Sequence, residues 1–367
     1  MAADPTGPYD LAVVGAGIIG AMTAYRAARR SPRPRVLVLD AGTPGAGATG
    51  SSAGFDLPSG RGAAQLELAA RSAARYRELA AQHPELTRDR VAVRWLVDVA
   101  GQAALARSLH GEPPAAADAE TERRLAEIFP GFTRSPGTAL LTSPPAEHTA
   151  PARTVAVLLE QVRAAAPGNA VWPGFAVTEV RRRAGLFDLY AHDGARVSAR
   201  RLVTATGPWA IDGPYGEVAR TYGVRCKKVA AYHIPVCPPA GAPALVLEDD
   251  DAFLLPQPDR DRWLFSFTSQ DWDCAPGSPS MRLGPHDRRL ARAVLDRHVP
   301  GFAPLLGGGQ VHCDGYAPGH LPVVAAAGAA EEPAVLAVAG AGSGYRLAPA
   351  IAEDTLALLD CLEPPTP

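Results

Sequence analysis

Three glycines near the start of the chain have the spacing of a dinucleotide-binding loop. The segment Gly15-Ala16-Gly17-Ile18-Ile19-Gly20 has the pattern GxGxxG. It begins at the last residue of an apolar run, residues 9–15, which predicts a buried parallel strand. The first glycine allows a tight turn, the second lets the backbone approach a diphosphate, and the third lets helix and strand pack closely. The diphosphate would lie at the N-terminus of the helix predicted over residues 17–30.

An acidic residue ends the next predicted strand. Residues 35–39 (RVLVL) are followed by Asp40, which lies 20 residues after Gly20. A carboxylate at this position accepts a hydrogen bond from a ribose 2′-hydroxyl and repels a 2′-phosphate, which disfavours NADP. The segment therefore predicts a βαβ unit in which Asp40 and the adjacent Ala41 contact the nucleotide.

Two further segments of small residues favour FAD over NAD. Residues 45–54 (GAGATGSSAG) follow the second strand, and residues 203–207 (VTATG) bring another glycine turn to the same edge of the sheet. A plain NAD-dependent dehydrogenase needs neither segment. Together with a strand near residue 177, they supply further predicted cofactor contacts, which are Gly47, Thr49, Ser51, Ser52, Val177, Thr206, Gly207 and Trp209.

Composition and charge exclude several classes of protein. The 367 residues include 36 basic and 38 acidic ones, a net charge of -2 that disfavours a nucleic-acid partner. The five cysteines form no CxxC pair, which argues against a disulfide framework or a thiolate zinc site. The first ten residues contain no basic residue, and residues 11–25 are too few to span a bilayer. We expect a cytoplasmic protein without a metal ion or a membrane partner.

Hydrophobic periodicity predicts two domains of different type. Helical spacing occurs over residues 63–82, 121–129, 152–165, 286–298 and 347–362, whereas residues 223–270 are mostly strand-like and residues 86–150 irregular. We predict an α/β fold with a Rossmann-type FAD-binding domain and a second, antiparallel-sheet (α+β) substrate domain. The first domain is predicted to comprise residues 1–85, 150–222 and 310–367, and the second residues 86–149 and 223–309.

The sequence resembles the flavin-dependent amine and amino-acid oxidases of the D-amino-acid oxidase superfamily, especially the sarcosine oxidase and glycine oxidase branch. The similar segments occur in the family's order and are residues 10–20, 35–42, 47–54, 203–210 and 337–359 (AVAGAGSGYRLAPAIAEDTLALL). The resemblance implies a bound FAD, contacted also by Gly342, Ser343 and Gly344. It further implies oxidation of the C–N bond of a small amino-acid-like substrate, with a hydride passing to the flavin and an imine that hydrolyses.

The resemblance also assigns substrate-binding residues. Arg346 falls where the family has a basic residue that holds the substrate carboxylate, and a planar guanidinium suits bidentate pairing with a carboxylate. The alternative is a surface arginine on the last helix. Tyr345 lies beside it and is assigned to the same site. Arg61 is a possible second carboxylate partner, with a solvated loop arginine as the alternative.

A covalent flavin link is a further implication. Cys313 lies near the position where the sarcosine oxidase branch attaches its flavin through a cysteine thioether. The alternatives are a buried, inert cysteine or attachment through the neighbouring His312.

The residue that promotes reaction with oxygen in sarcosine-type oxidases is not evident. Those enzymes place a lysine over the flavin from the strand that corresponds to residues 263–268, which here read WLFSFT. We expect Lys227 and Lys228, on another strand, to be solvated or to bind a phosphate-like charge. The electron acceptor is therefore O2 or another molecule. The alternatives to an oxidase are a flavin dehydrogenase or hydroxylase of similar fold, or a non-catalytic FAD-binding subunit of a complex.

Overall fold

The computed structural model describes residues 7–57, 59–279, 281–329 and 332–362. Its strands form two sheets, and most of its longer helices pack against one or the other. Strands and helices are numbered here in chain order. The helices are α1 (Ile18–Ala28), α2 (Ala63–Gln82), α3 (Gln102–Ser108), α4 (Ala119–Ile128), α5 (Pro151–Ala165), α6 (Gly216–Thr221), α7 (Pro285–His298) and α8 (Gly344–Cys361).

The first sheet has a parallel centre and contains the predicted βαβ unit. Its strands are β1 (Tyr9–Val14), β2 (Val36–Asp40), β7 (Ala170–Pro173), β8 (Val177–Arg183), β9 (Leu186–Ala191), β10 (Arg196–Thr204), β16 (Val323–Ala326) and β17 (Ala334–Val338). They lie in the order β16-β17-β10-β1-β2-β7, and the β8–β9 hairpin extends from β10. The pairs of β1 with β2 and β10, of β2 with β7, and of β10 with β17 are parallel.

Both faces of this sheet are covered, which is why its central strands are apolar without alternation. Helices α1, α2, α5 and α8 pack on one face, where Val13 and Val38 are fully buried. The opposite face, with Leu37 and Leu39, packs against the β8–β9 hairpin and α6. The predicted Rossmann-type arrangement is confirmed.

The turn between β1 and α1 requires glycine. Gly15 has a φ of 97°, and a Cβ atom there would lie 2.4 Å from the carbonyl oxygen of Ala205. A Cβ atom on Gly20 would lie 1.9 Å from the carbonyl oxygen of Gly15. Neither position accepts a side chain, so strand, turn and helix lie close together.

The second sheet is antiparallel except for one pair. Its strands are β3 (Phe55–Asp56), β4 (Asp89–Asp98), β5 (Ala115–Ala116), β6 (Thr138–His148), β11 (Arg225–Ile234), β12 (Ala244–Leu247), β13 (Ala252–Gln257), β14 (Arg262–Phe267) and β15 (Gly309–Tyr316). They lie in the order β15-β11-β14-β13-β12-β4-β6-β3, with β5 beside β6, and only β12 and β4 are parallel. Helices α4 and α7 pack on one face, where Trp263 and Phe265 are fully buried.

Two long strands, β4 and β6, and the short β5 lie in residues 86–150, for which the sequence predicts irregular structure. β4 and β6 pair along most of their length, but their register shifts between Val91 and Val93, which face Ala146 and Ser143. Residues 144–145 are the proline pair of this region, and they lie at the shift. Proline lacks the N–H that a ladder needs, and a bulge tolerates it.

The predicted domain boundaries differ in detail from the two sheets. β15 pairs with β11 in the second sheet, although residues 310–316 were assigned to the FAD-binding domain. β3 also joins the second sheet through β6. The strands therefore change from one sheet to the other at different residues than the predicted boundaries. Among the described residues, no helix is long and apolar enough to cross a bilayer.

Candidate active site

A cavity of about 840 Å³ lies between the two sheets. On one side it is lined by the residues that follow the carboxyl ends of β1, β10 and β17, including Gly17, Ala205 and Ala339. On the other side it is lined by one face of the second sheet. Ligands of open α/β sheets bind outside the carboxyl ends of the strands, so the position is that of a cofactor site.

The predicted phosphate loop opens onto this cavity. Gly17, Ile18 and Ile19 line it at the start of α1. The backbone N–H of Ile18 donates to Oγ1 of Thr49 at 3.0 Å, which fixes the small-residue segment 45–54 against the helix N-terminus. A helix N-terminus with adjoining glycines favours a diphosphate, because backbone N–H groups and the helix dipole both attract negative charge.

Asp40 lies at the end of β2, outside the cavity lining. Its Oδ2 accepts the N–H of Ala16 at 2.8 Å, and its Oδ1 accepts the N–H of Gly42 at 2.8 Å. Each carboxylate oxygen keeps a second lone pair, which can accept a ribose hydroxyl. Asp40 therefore both shapes the phosphate loop and leaves room for a nucleotide contact. Ala41 beside it is exposed.

The structure brings together only part of the predicted cofactor set. The predicted residues that line the cavity besides the phosphate loop are Thr49, Ser51, Ser52, Gly207, Gly342, Ser343, Gly344 and Tyr345. Those outside the lining are Ala41, Gly47, Val177, Thr206, Trp209 and Cys313. Gly47 packs against the ring of Trp209, since a Cβ atom there would lie 3.2 Å from it, and Val177 packs against the core of the first sheet.

The residues present fit FAD. The phosphate loop admits no Cβ atom at Gly15 or Gly20, so the strand, the turn and the helix keep the close packing of a dinucleotide-binding loop, and the cavity continues from the loop past small residues to the start of α8. When bound, FAD would supply a flavin ring that accepts two electrons. Among the described residues, no group of His, Cys, Asp or Glu side chains could hold a metal ion.

Arg346 lies in the cavity wall at the start of α8. Its Nη1 donates to the carbonyl oxygen of Leu57 at 2.8 Å and to Oγ of Ser59 at 2.9 Å, and its Nη2 donates to Oγ of Ser343 at 2.5 Å. All these acceptors are uncharged. Its Nε is buried and has no acceptor among the described residues. The guanidinium is thus held in place and retains donor capacity.

The electrostatics of Arg346 are those of a cation without a counter-ion. Burial lowers the pKa of Arg346, and the negative charge of Asp56 partly opposes this effect. Asp56, however, is bonded to Arg88 at 2.7 Å. No carboxylate of the described residues forms a salt bridge with Arg346. A buried charge needs a partner, so this site favours an anionic ligand.

The two other predicted substrate residues, Tyr345 and Arg61, already have partners within the protein. The ring of Tyr345 stacks on Tyr76, with centroids 5.2 Å apart, and its hydroxyl lies 3.1 Å from Oγ1 of Thr154. Its phenol is therefore occupied in the protein core. Arg61 lines the cavity but is exposed, and its Nη2 donates to Oδ1 of Asp251 at 2.7 Å. It lies at the cavity mouth with a counter-ion.

Strands β11 and β15 place unpredicted polar groups on the cavity wall. Lys227 of β11 faces Asp314 of β15 in the strand register, and both line the cavity. Asp314 accepts the N–H groups of Gly315 at 2.8 Å and Gly342 at 2.7 Å. Nζ of Lys227 donates to Oγ1 of Thr268 at 2.9 Å. The two opposite charges thus face one cavity without bonding to each other.

The pKa values on this wall follow from burial. Burial lowers the pKa of His312 to about 4, and its Nδ1 has no partner among the described residues. Burial raises the pKa of Asp314 to about 6, although the two backbone N–H groups oppose the rise. Burial also lowers the pKa of Lys227, while Asp251 opposes this change. At neutral pH the wall therefore holds a neutral imidazole and an ionised carboxylate.

Cys313 lies on the opposite face of β15 from His312. Its Sγ lies 3.7 Å from the carbonyl oxygen of Cys274 and 3.6 Å from Sδ of Met281. Burial raises the pKa of the Cys313 thiol to about 11. This thiol is protonated and does not face the cavity, whereas the imidazole of His312 does. The geometry therefore favours His312 over Cys313 for a flavin link.

The expectation that Lys228 is solvated or binds a phosphate-like charge is wrong. Lys228 is buried, and its Nζ lies 2.8 Å from Asp287 and 3.3 Å from Asp271, which ties β11 to α7. Lys227 is half-buried, with its Nζ 5.2 Å from the ring centroid of Trp272 and 5.4 Å from that of Tyr316. The structure thus places a cavity lysine on the strand beside β14 rather than on β14.

One sequence signal could have identified the polar wall. Gln310, His312 and Asp314 alternate along β15, and side chains two residues apart share a face of a strand. A shift of one residue in the register of a strand moves every side chain to the opposite face of the sheet. If His312 faces the cavity, Gln310 and Asp314 face it too, and Cys313 faces away. The three polar residues line the cavity together, and Cys313 does not.

The phosphate loop, the adjoining small residues and Arg346 in one cavity define a flavin-dependent oxidoreductase. The chain matches the family model for the FAD-dependent oxidoreductases, called DAO, over residues 10–358, and it belongs to that family. Members of the family bind FAD. No curated protein sequence is significantly similar to the chain.

Solved structures of amino-acid and amine oxidoreductases share the fold. Glycine oxidase from Geobacillus kaustophilus is 19% identical, with a TM-score of 0.76 and coverage of 99% of this chain and 97% of its own. L-proline dehydrogenase from P. horikoshii is 16% identical, with a TM-score of 0.79 and coverage of 98% and 95%. Iminodiacetate oxidase from Chelativorans sp. BNC1 is 19% identical, with a TM-score of 0.73 and coverage of 97% of both chains.

Proposed function

We propose that the protein oxidises the C–N bond of an amino acid, or of an N-substituted or cyclic amino acid, to an imine. Bound FAD would supply the acceptor for the hydride of the α-carbon, water would hydrolyse the resulting imine, and O2 would take the two electrons in the end to give H2O2. The similar folds of glycine oxidase, iminodiacetate oxidase and L-proline dehydrogenase support this reaction class.

The environment of Arg346 is the observation that supports an amino-acid substrate best. Its three hydrogen bonds all go to uncharged oxygens, and its Nε has no acceptor among the described residues. A substrate carboxylate would supply the missing negative charge and accept the free donors. A simple amine without a carboxylate would leave the buried cation unpaired, which is costly.

The protein's contribution to the reaction is placement. Arg346 would fix the carboxylate, and the bonds from Arg346 to Leu57, Ser59 and Ser343 hold the guanidinium in one orientation. A fixed carboxylate restricts the α-carbon, so the C–H bond to be broken takes up one direction in the cavity. The reacting amine must be neutral, and no further acid–base pair is required.

The position of Lys227 in the cavity supports the proposal that O2 is the electron acceptor. Reduction of O2 begins by forming an anion, which a cation in the same cavity stabilises. Lys227 is half-buried, lines the cavity, and forms no salt bridge with any carboxylate of the described residues. Its positive charge is therefore available to an anion formed there.

An anaerobic bleaching experiment tests this function. The purified protein should show a flavin spectrum, and amino acids should bleach it in the absence of O2, whereas their decarboxylated amines should not. Rapid return of colour in air, with release of H2O2, identifies an oxidase. Slow return identifies a dehydrogenase that uses another acceptor. A flavin spectrum that no amino acid or amine bleaches would contradict the proposal and favour a non-catalytic FAD-binding subunit.

A further inference from the structure

Five side chains form an apolar corner of the cavity. Phe55, Leu57, Trp95, Val246 and Phe253 all line it, and none is charged. The rings of Phe55 and Phe253 are in contact, with centroids 5.3 Å apart, and both are only partly buried. The other three are nearly inaccessible and lie behind the two half-buried rings. The corner therefore presents aromatic carbon to the cavity.

The second sheet places three of these side chains, Trp95, Val246 and Phe253, on one face. Val246 of β12 is the register partner of both Trp95 in β4 and Phe253 in β13. Directly paired residues of neighbouring strands project from the same face of a sheet. The indole Nε1 of Trp95 donates to Oγ of Ser143 at 2.9 Å, so its polar atom is already satisfied within the sheet. The corner is thus a rigid wall.

The apolar corner lies beside the carboxylate clamp. Nη1 of Arg346 donates to the backbone carbonyl of Leu57, which is a member of the corner. A carboxylate bound to Arg346 would therefore lie next to the segment that bears Phe55 and Leu57. The groups attached to the α-carbon or to the amine nitrogen would be within reach of the half-buried rings of Phe55 and Phe253.

Two of the acidic residues that line the cavity already have hydrogen-bond partners. Arg61 is bonded to Asp251 at the mouth, and Asp249 accepts the backbone N–H of Asp98. Neither pair belongs to the corner. Water in the corner would contact carbon, and covering such a surface with an apolar group is favourable in proportion to the area covered.

We propose, on the basis of the proposed function, that the substrate bears a branched or aromatic apolar group that packs on Phe55 and Phe253. The group is either the amino-acid side chain or a substituent on the amine nitrogen. Glycine-sized substrates leave the corner uncovered and react poorly.

Carboxylic acids without an amine test this proposal independently of turnover. Acetate, 4-methylpentanoate and 3-phenylpropionate cannot be oxidised at a C–N bond, but they can bind Arg346 and perturb the flavin spectrum of the holoprotein. We expect 3-phenylpropionate and 4-methylpentanoate to bind about a hundredfold more tightly than acetate, since a single buried methylene discriminates about tenfold or more. Equal affinities would overturn the proposal.

Variants at Phe253 and at Phe265 test whether the apolar corner causes the preference for the larger carboxylic acids. Phe253→Ala should abolish most of the preference for 3-phenylpropionate and leave acetate binding unchanged. Phe253→Leu should have a smaller effect of the same kind, and it replaces the alanine variant if that variant does not fold. Phe265→Leu alters a phenylalanine on the opposite face of the same sheet, where it packs in the core. It should keep the wild-type preference. A preference that survives in Phe253→Ala and Phe253→Leu would contradict the proposal.

Anaerobic bleaching with leucine, phenylalanine, N-benzylglycine and glycine distinguishes the two sources of the apolar group. Faster reduction by leucine or phenylalanine assigns the corner to the side chain, and faster reduction by N-benzylglycine assigns it to the nitrogen substituent. Fastest reduction by glycine would overturn this inference while the proposed function remains. The absence of bleaching by all of them, together with no perturbation by the carboxylic acids, would contradict the proposed function itself.

Discussion

Arg346 and Ser343 lie one helical turn apart at the start of α8, and Nη2 of the arginine donates to the serine hydroxyl at 2.5 Å. The serine belongs to the glycine-rich turn that follows β17, and the arginine belongs to the helix. This bond therefore couples the backbone of the turn that lines the cofactor cavity to the orientation of the candidate substrate clamp.

The first prediction concerns the clamp. Arg346→Ala should raise the substrate concentration needed for half-maximal flavin reduction by about a hundredfold, because truncating one partner of a buried charge pair costs about 2–5 kcal/mol. Arg346→Lys should recover part of the affinity, since it keeps the charge but loses the planar fork. Anaerobic titration measures both, and the exposed Arg292→Ala variant on α7 is the control. Wild-type affinity in Arg346→Ala would place the clamp elsewhere, with Arg61 as the next candidate.

The second prediction concerns nucleotide binding. Asp40→Ala should weaken FAD binding about tenfold or more, because it removes charge-assisted hydrogen bonds worth about 1.5–3 kcal/mol. The same change frees the N–H groups of Ala16 and Gly42, so the phosphate loop also loses its support. Flavin fluorescence after dilution and dialysis measures the loss. Glu160→Ala, at an exposed position of α5, should retain flavin like the wild type.

The third prediction concerns flavin attachment. Cys313→Ser should leave unchanged the amount of flavin that remains with the polypeptide after acid precipitation, because the thiol contacts Cys274 and Met281 rather than the cavity. Any covalent flavin should disappear in His312→Ala. Release of flavin by Cys313→Ser with His312 intact would show that β15 has the opposite facing in the holoprotein.

The fourth prediction concerns Lys227. Lys227→Met should slow the return of flavin colour in air about tenfold or more, because it removes a cation from the cavity where O2 is reduced. The rate of anaerobic reduction by substrate should change little, since the clamp is Arg346. Stopped-flow absorbance separates the two half-reactions, and Lys227→Arg should behave like the wild type. An unaltered reoxidation rate in Lys227→Met would remove this lysine from the reaction with O2.

The fifth prediction concerns pH. Burial raises the pKa of Asp314 to about 6, above its unfolded value near 3.9, so the folded state binds the proton more tightly. The stabilisation from this protonated carboxyl is fully present below about pH 4 and is lost as the pH rises through about 6.

The quantity to follow is the free energy of unfolding of the flavin-free wild type minus that of the flavin-free Asp314→Asn variant. This difference should fall as the pH rises from 4 to 6, by at most about 1.4 kcal/mol per pH unit, and should level off above pH 7. Urea denaturation at a series of pH values measures the difference between the two proteins. A difference that does not change with pH would contradict the raised pKa.

The fold was largely predictable because its nucleotide-binding half obeys local rules. The phosphate loop and α2 follow from glycine spacing and helical periodicity, and the structure has α2 over the predicted residues 63–82. β6 was not predictable in the same way. Its proline pair indicates a break in a strand, and only pairing with β4 shows that the pair lies at a register shift.

The residues of the candidate site were predictable from the sequence only where they lie next to a recognisable local motif. The family resemblance assigns Arg346 to the substrate carboxylate, and the glycine turn that precedes it in the chain places it in the cavity wall. Lys227 and Phe253 face the cavity because of strand pairing with β15, β14 and β12, which connects residues distant in sequence. The same dependence on register explains why the sequence alone does not distinguish Cys313 from His312 as the residue that faces the cavity.

Ala339 and Ala341 have φ values of 63° and 50° in the turn between β17 and α8. A non-glycine residue in the left-handed region costs about 1–2 kcal/mol, so this turn is held in a strained state beside the cavity. Codons for alanine and glycine differ by a single base. One point mutation to glycine would therefore relieve the strain at either of these two positions. A lineage that accepted glycine here would gain stability and give up rigidity where Ser343 orients Arg346.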